Sequence, residues 1–378
     1  MFNLEEKKMK TILFILGTRP EVIKLAPLII ELKRMGFNVA LCNTEQQKEL
    51  SNQTLRYFNL QADINLDIMM ENQSLTALAS RLIEKLDKVI NESLDFVIVQ
   101  GDTMSAFCGA FVSFLKKVPI VHVEAGLRSN NLMEPFPEEG LRQMISRLAA
   151  FNCAPTDISK ENLLKEGVPL NKIQVTGNTV IDSLLHYLPL EIVTKSDNAV
   201  RKLLPKDFKK LVLVTVHRRE NHGDPLINII RSIKELSDSF KDVLFVWPVH
   251  PNPNVSNVVK RELSGLRNIV LTEPLDYPNL VSLMKSSTLI LTDSGGIQEE
   301  ATAFGVPILV LREVTERPEG IVAGCAQLVG SDVDRIIRTA SKFLENDELH
   351  NHQAMPYGDG TSTIKIINYL ASKKDDCE

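Results

Sequence analysis

Acidic residues that close apolar runs are the first feature of this sequence with chemical meaning. Phe96–Gln100 leads into Gly101-Asp102-Thr103, and Ile120–Val123 leads into Glu124-Ala125-Gly126-Leu127-Arg128. A carboxylate that ends an apolar strand is costly unless it is paired or put to use. Two of them at neighbouring strand ends can converge on one crevice, where they suit general acid/base work on a bound molecule. Asp102, just before Thr103, also has the position of a helix N-cap. A third acidic pair, Glu138-Glu139, follows a proline-rich loop and opens a helix that carries Arg142. First-turn acids of that kind also complement a helix dipole.

Cations and backbone donors recur at other strand ends. Leu211–Val216 runs into His217-Arg218-Arg219-Glu220-Asn221, three potential positive charges at one terminus. A lone histidine is usually structural, but one followed by two arginines suits an anion. Thr288–Leu291 runs into Thr292-Asp293-Ser294-Gly295-Gly296-Ile297-Gln298-Glu299-Glu300. The Ser294-Gly295-Gly296 turn offers N–H groups at the start of a helix, an ordinary solution for phosphate. Glu300, about 1.5 turns on, is placed to reach ribose hydroxyls. In the first half, Gly17-Thr18-Arg19-Pro20-Glu21-Val22-Ile23-Lys24 joins a turn glycine to two cations, Arg19 and Lys24. It reads as an anion site or as a helix entry with solvated charges, and Pro27 predicts a kink or restart of that helix.

Strands must hold these residues, and the sequence supplies them in two series. Thr11–Leu16, Asn38–Cys42, Phe96–Gln100 and Ile120–Val123 form the first. Leu211–Val216, Val243–Trp247, Ile269–Leu271, Thr288–Leu291 and Ile308–Leu311 form the second. Between them lie segments of helical apolar spacing, the pattern of βαβ units around parallel sheets, so the class is α/β. A polar leader over 1–9 is expected, then a Rossmann-like domain over 10–182 and a second over 183–358. The seam falls between Asn178 and Lys210, a stretch that suits a linker or peripheral helix. The remainder, 359–378, reads as a helix over Thr361–Ser372 and a charged tail. No G-x-G-x-x-G follows the first strand and no P-loop is found, which argues against a nicotinamide enzyme. Two lobes facing one cleft, with carboxylates on the first lip and diphosphate-holding groups on the second, suit a nucleotide-sugar.

Composition narrows the field. The chain has 378 residues, long for a single core, and a formal net charge of −5 that lacks the basic footprint of a nucleic-acid binder. Its apolar runs are strand-sized, well short of the roughly 20 residues of a membrane span. Met1–Lys10 has no apolar core of a secretory signal, so a cytoplasmic location is expected. Five cysteines, Cys42, Cys108, Cys153, Cys325 and Cys377, are scattered without C-x-x-C pairing, which points away from disulfides and zinc. Neither a metal nor a cofactor is implied.

Seven motifs in register resemble the non-hydrolysing UDP-N-acetylglucosamine 2-epimerase family. They are Gly17-Thr18-Arg19-Pro20-Glu21, Gly101-Asp102-Thr103, the run His122–Arg128, Pro137-Glu138-Glu139, the run His217–Asn221, the run Asp293–Glu300, and Thr315-Glu316-Arg317-Pro318-Glu319. The likeness runs from about Lys10 to Ser372. It implies a GT-B fold whose terminal helix crosses back to the first domain, a homodimer, and interconversion of UDP-GlcNAc and UDP-ManNAc. It also implies that Arg19, Lys24, His217, Ser294, Gly295, Gly296, Glu300 and Arg317 hold UDP, while Asp102, Glu124, Glu138 and Arg142 surround the sugar. The uracil would rest on the backbone at Leu275 and apolar packing near Leu280. After the second strand the family commonly has Gly-Gln-His, associated with a second, activating UDP-GlcNAc. Here the triplet is Glu45-Gln46-Gln47, so the resemblance does not carry that activator over.

The implied chemistry has a physical reason. The C-2 hydrogen of the sugar adjoins no carbonyl, so direct abstraction would leave an unstabilised carbanion. Departure of UDP from C-1 acidifies that hydrogen, and a 2-acetamidoglucal forms. Re-addition then needs a proton on the opposite face of C-2, so at least two of Asp102, Glu124 and Glu138 are expected to act, with at least one pKa raised toward neutrality by crowding. Other readings stay open: a hydrolysing epimerase, an epimerase of another UDP-2-acetamido sugar, a GT-B glycosyltransferase, and a nucleotide-sugar sensor without catalysis.

Overall fold

The computed structural model describes residues 10–203, 207–346 and 354–372. The expected leader, the charged tail and Cys377 lie outside them. The chain divides into two compact units, one running to Leu188 and resuming at Gly358, the other spanning Pro189–Tyr357.

The first unit is built on seven parallel strands: β1 (Thr11–Leu16), β2 (Asn38–Asn43), β3 (Ile64–Asn65), β4 (Phe96–Gln100), β5 (Ile120–Val123), β6 (Phe151–Ala154) and β7 (Ile173–Val175). Their order is β3-β2-β1-β4-β5-β6-β7. Helices on both faces bury β4 and β5 fully and β1 in all but its first residue, which is why these strands read as continuous apolar runs. The short β3, β6 and β7 escaped the sequence reading because they carry no such run. The order reverses between β1 and β4, and ligands of open α/β sheets bind at that switch point, beyond the carboxyl ends. Gly17-Thr18-Arg19 follows β1 and Gly101-Asp102 follows β4. The β4–β5 register pairs Gln100 with Val123, so Glu124 emerges beside Gly101.

The second unit repeats the plan with β8 (Lys210–Thr215), β9 (Val243–Pro248), β10 (Ile269–Thr272), β11 (Leu289–Thr292), β12 (Ile308–Val310) and β13 (Ala326–Leu328). The order β10-β9-β8-β11-β12-β13 puts the switch point between β8 and β11. His217 follows β8, and Asp293-Ser294-Gly295 follows β11. Both units are thus Rossmann-like. The stretch expected as linker or peripheral helix contains the helix Leu190–Leu203, where Ser282 Oγ donates to Asp197 Oδ1 at 2.6 Å.

Two details of the first unit bear on the site. The helix Arg19–Arg34 passes through Pro27 without the expected restart. Proline removes the N–H that would bond the carbonyl four residues back, at Ile23, and the Ser183 hydroxyl donates to that carbonyl instead. Ser183 therefore belongs with the first unit, and the division falls after Leu188 rather than at 182/183. The terminal helix Ser362–Ser372 docks on the same unit: Asp182 accepts from the Ser362 and Thr363 amides at 3.2 and 2.7 Å.

Candidate active site

Glu124 is the centre of the first unit's cluster. It is buried, and its φ of 66° is left-handed, a conformation a glutamate adopts only when its surroundings impose it. Its carboxylate is held by side chains from three elements. Lys24 Nζ pairs with Oε1, Gln100 Nε2 donates to Oε2, and Asn178 Nδ2 donates to Oε1 at 2.8 Å. Lys24 thus lies against this carboxylate.

Asp102 stands next to it at the end of β4, half-buried, with Arg142 donating to Oδ2. Arg142 is held in turn by Glu139, 3.3 Å away, whose carboxylate also accepts from Ser129 N at 3.0 Å and Gln143 Nε2 at 2.9 Å. Glu139 is fully buried and serves this scaffold, whereas Glu138 is half-buried at the start of the same helix. The turn before Asp102 is fixed by His122. Burial pushes its pKa down to about 4, so the ring is neutral, and Nε2 donates to the Gly101 carbonyl at 2.8 Å. Gly101 itself has φ of 70°, where a side chain would be strained.

Glu21 fastens the β1 and β4 ends to each other. Its Oε2 accepts from Gly17 N, Thr18 N and Thr18 Oγ1 at 3.0, 2.8 and 2.8 Å, and Oε1 accepts from Thr103 Oγ1 at 2.6 Å. Burial nevertheless raises its pKa to about 7, despite those bonds. Arg19 is left half-exposed, and among the described residues no carboxylate pairs with its guanidinium. Glu45, standing where the family commonly has glycine, keeps a left-handed φ of 61° and accepts from Asn52 Nδ2 at 3.1 Å. Gln46 Oε1 accepts from Ser105 Oγ at 2.7 Å.

The second unit collects cations. His217 Nδ1 lies 3.0 Å from Asp293 Oδ1. Arg317 is clamped by Glu299, which accepts from Nε at 2.7 Å, and by Glu316, which accepts from Nη1 at 2.7 Å. Burial favours a raised Glu316 pKa, but Arg317, Arg312 and Arg218 around it hold the carboxyl far below the usual range. The Arg317 guanidinium lies over Gly295, where an added Cβ would stand 2.5 Å from Nη1, so any side chain there would have to displace it. Of the expected triplet, the Ser294 amide is already engaged, donating to Thr292 Oγ1 at 3.0 Å. Glu300, Leu275 and Leu280 are all half-buried, with Glu300 Oε1 3.5 Å from the position of a Gly296 Cβ.

The structure thus gathers Lys24, Asp102, Glu124 and Arg142 around one switch point, with Arg19 and Glu138 beside them, and His217, Ser294, Gly295 and Arg317 around the other. Gln100, Asn178, Glu21 and Asp293 escaped the sequence reading as site residues. Only Glu21 and Asp293 had a signal, an acid just past a strand end. Among the described residues no group of histidine, cysteine or acidic side chains could hold a metal, and no helix is long and apolar enough to cross a membrane.

Comparison with known proteins accords with this arrangement. A model of the family described as UDP-N-acetylglucosamine 2-epimerase matches residues 30–371. A protein of that name from Neisseria meningitidis serogroup A is 42% identical over 370 residues, covering 96% of this chain and 100% of its own. A crystal structure of the Neisseria meningitidis enzyme bound to UDP-GlcNAc superposes with a TM-score of 0.88 at 41% identity, again over 96% and 100%. The Methanocaldococcus jannaschii enzyme in complex with UDP-GlcNAc and UDP gives 0.81 at 34% identity, over 96% and 100%.

Proposed function

The chain belongs to the UDP-N-acetylglucosamine 2-epimerase family, and from that premise we propose that it interconverts UDP-GlcNAc and UDP-ManNAc without net hydrolysis. UDP leaves C-1 with its bonding electron pair, and a carboxylate takes the C-2 proton from the opposite side. A 2-acetamidoglucal results. Addition of UDP back to C-1, with a proton delivered to the other face of C-2, completes the exchange.

The observation that carries this reading is Glu124, left-handed in its backbone and with its carboxylate held by Lys24, Gln100 and Asn178. Strain of that kind persists where function uses it. Asp102, oriented by Arg142, and Glu138 are the further acid/base candidates. His217, Arg19, Arg317 and the Gly295 and Gly296 amides take the diphosphate, each such preorganised donor contributing about 3–4 kcal/mol as charge develops. Glu300 takes the ribose, and the segment from Leu275 to Leu280 takes the base. Lys24 acts through Glu124, as a cation that holds this carboxylate in place. A cytoplasmic homodimer serving surface-polysaccharide synthesis accompanies the proposal.

Incubation with UDP-GlcNAc in heavy water, followed by proton NMR, tests it. Deuterium is expected at C-2 of both UDP-sugars, and no free ManNAc. Free ManNAc with UDP would indicate the hydrolysing reaction, and unlabelled UDP-ManNAc would overturn proton abstraction at C-2.

A further inference from the structure

We infer that Asp293 is a positioning residue that fixes the ring orientation and tautomer of His217, presenting Nε2 to the departing phosphate. This deepens the reading above and rests on it. Asp293 is completely buried at the end of β11, yet it bonds almost entirely across the switch point, to the segment after β8. Its Oδ2 accepts from His217 N at 3.0 Å, Arg218 N at 2.9 Å and Asn221 Nδ2 at 2.9 Å. Its Oδ1 lies 3.0 Å from His217 Nδ1. Three N–H donors thus lock the carboxylate before the imidazole meets it. A carboxylate can only accept, so Nδ1 carries the proton and Nε2 faces away from Asp293.

The other groups around the ring leave this assignment intact. His250 stacks against it, with ring centroids 6.1 Å apart and planes 27° from parallel. Its own Nδ1 accepts from Asn252 N at 3.2 Å, and burial first, then the facing His217, lowers its pKa, so it stands as a neutral partner. Arg218 turns to Glu316, 3.3 Å away. His222 is the remaining titratable neighbour, and it also bears on His250.

An Asp293→Asn change has a specific consequence. The three donors at Oδ2 select the amide oxygen, which leaves the amide NH2 facing His217 Nδ1. That nitrogen must then accept, and the proton moves to Nε2. Long-range proton–nitrogen correlation on the imidazoles of the unliganded full chain reads this directly. The wild type is expected to show Nδ1 protonated and the variant Nε2 protonated. Turnover of UDP-GlcNAc should fall about 100-fold in Asp293→Asn, the scale of a lost general acid/base arrangement, with KM changing by less than about threefold. The Asp293→Asn/His217→Asn double variant should be no slower than His217→Asn alone, because the aspartate works through the histidine. A wild-type ring with no proton on Nδ1, or losses that multiply in the double variant, would overturn the assignment. The tautomer measurement needs no substrate, so it stays readable in a chain that failed to epimerise UDP-GlcNAc.

Discussion

Glu21 and Asp293 are two carboxylates buried at the switch points of the two sheets, each saturated with hydrogen bonds, and they end on opposite sides of the ordinary carboxylate range. Around Glu21 the donors are neutral hydroxyls and amides, so burial prevails and the pKa rises to about 7. Around Asp293 burial pushes the same way, but the His217 ring and the N–H groups of Arg218 and Asn221 outweigh it and the pKa falls. Four donors around each carboxylate therefore do not give the same shift; the His217 ring is what Asp293 has and Glu21 lacks. The first unit keeps a carboxyl that can gain or lose a proton near neutrality, next to acids placed for proton transfer. The second holds Asp293 and Glu316 below the usual carboxylate range, beside His217 and the arginines.

The largest effect that can break this contrast is expected at Glu124. Glu124→Gln should lower turnover roughly 1000-fold, within the range for a general acid/base, while UDP affinity measured by calorimetry stays near the wild-type value. A variant that mainly lost UDP affinity would place Glu124 with the binding groups and erase the division of labour.

Glu21 offers the next largest effect, in stability. Its folded pKa of about 7 exceeds the ordinary 4.5, so the folded state binds the proton more tightly. The associated stabilisation is complete below the lower value and is lost as pH rises through the upper one, up to roughly 3 kcal/mol for a shift of this size. Glu21→Gln stays neutral throughout. Urea titrations at about pH 5 and pH 8 should show the wild type losing stability relative to the variant at the higher pH, as linkage requires. An unchanged difference would show that burial does not govern this carboxyl.

The smallest of these effects sharpens the second unit's side. Gly295→Ala places a methyl 2.5 Å from Arg317 Nη1, so the guanidinium must shift away from its Glu299 and Glu316 clamp. UDP should bind about tenfold more weakly, a loss near 1.4 kcal/mol. Deuterium incorporation per turnover should stay unchanged, since no proton-transfer group moves.

Much of this was legible in the sequence. Parallel strands covered on both faces leave uninterrupted apolar runs, so their ends, and with them Asp102, Glu124 and His217, stood out. The partners did not. Lys24 and Glu124 are 100 positions apart, and Asn178 reaches the same carboxylate from 54 away. Such pairings depend on strand order, which local patterns do not encode. Glu138 and Glu139 differ by one residue yet face different surroundings, because successive positions on a helix point about 100° apart. The restart expected at Pro27 is missing for a related reason: the hydroxyl that replaces the lost bond comes from Ser183, 160 positions away from Ile23.

Asp182 and Ser183 moor two separate crossings of the chain at adjacent residues. Ser183 grips the helix that opens with Arg19 and Lys24, while Asp182 grips the returning segment at Ser362 and Thr363. A fragment ending at Leu188 would keep Asp102, Glu124 and Glu138 and still strip the buried Asp182 carboxyl of the Ser362 and Thr363 amides it accepts from. The first half of the gene product is therefore not a self-sufficient module, and swapping it between relatives calls for transplanting the last turn of chain along with it.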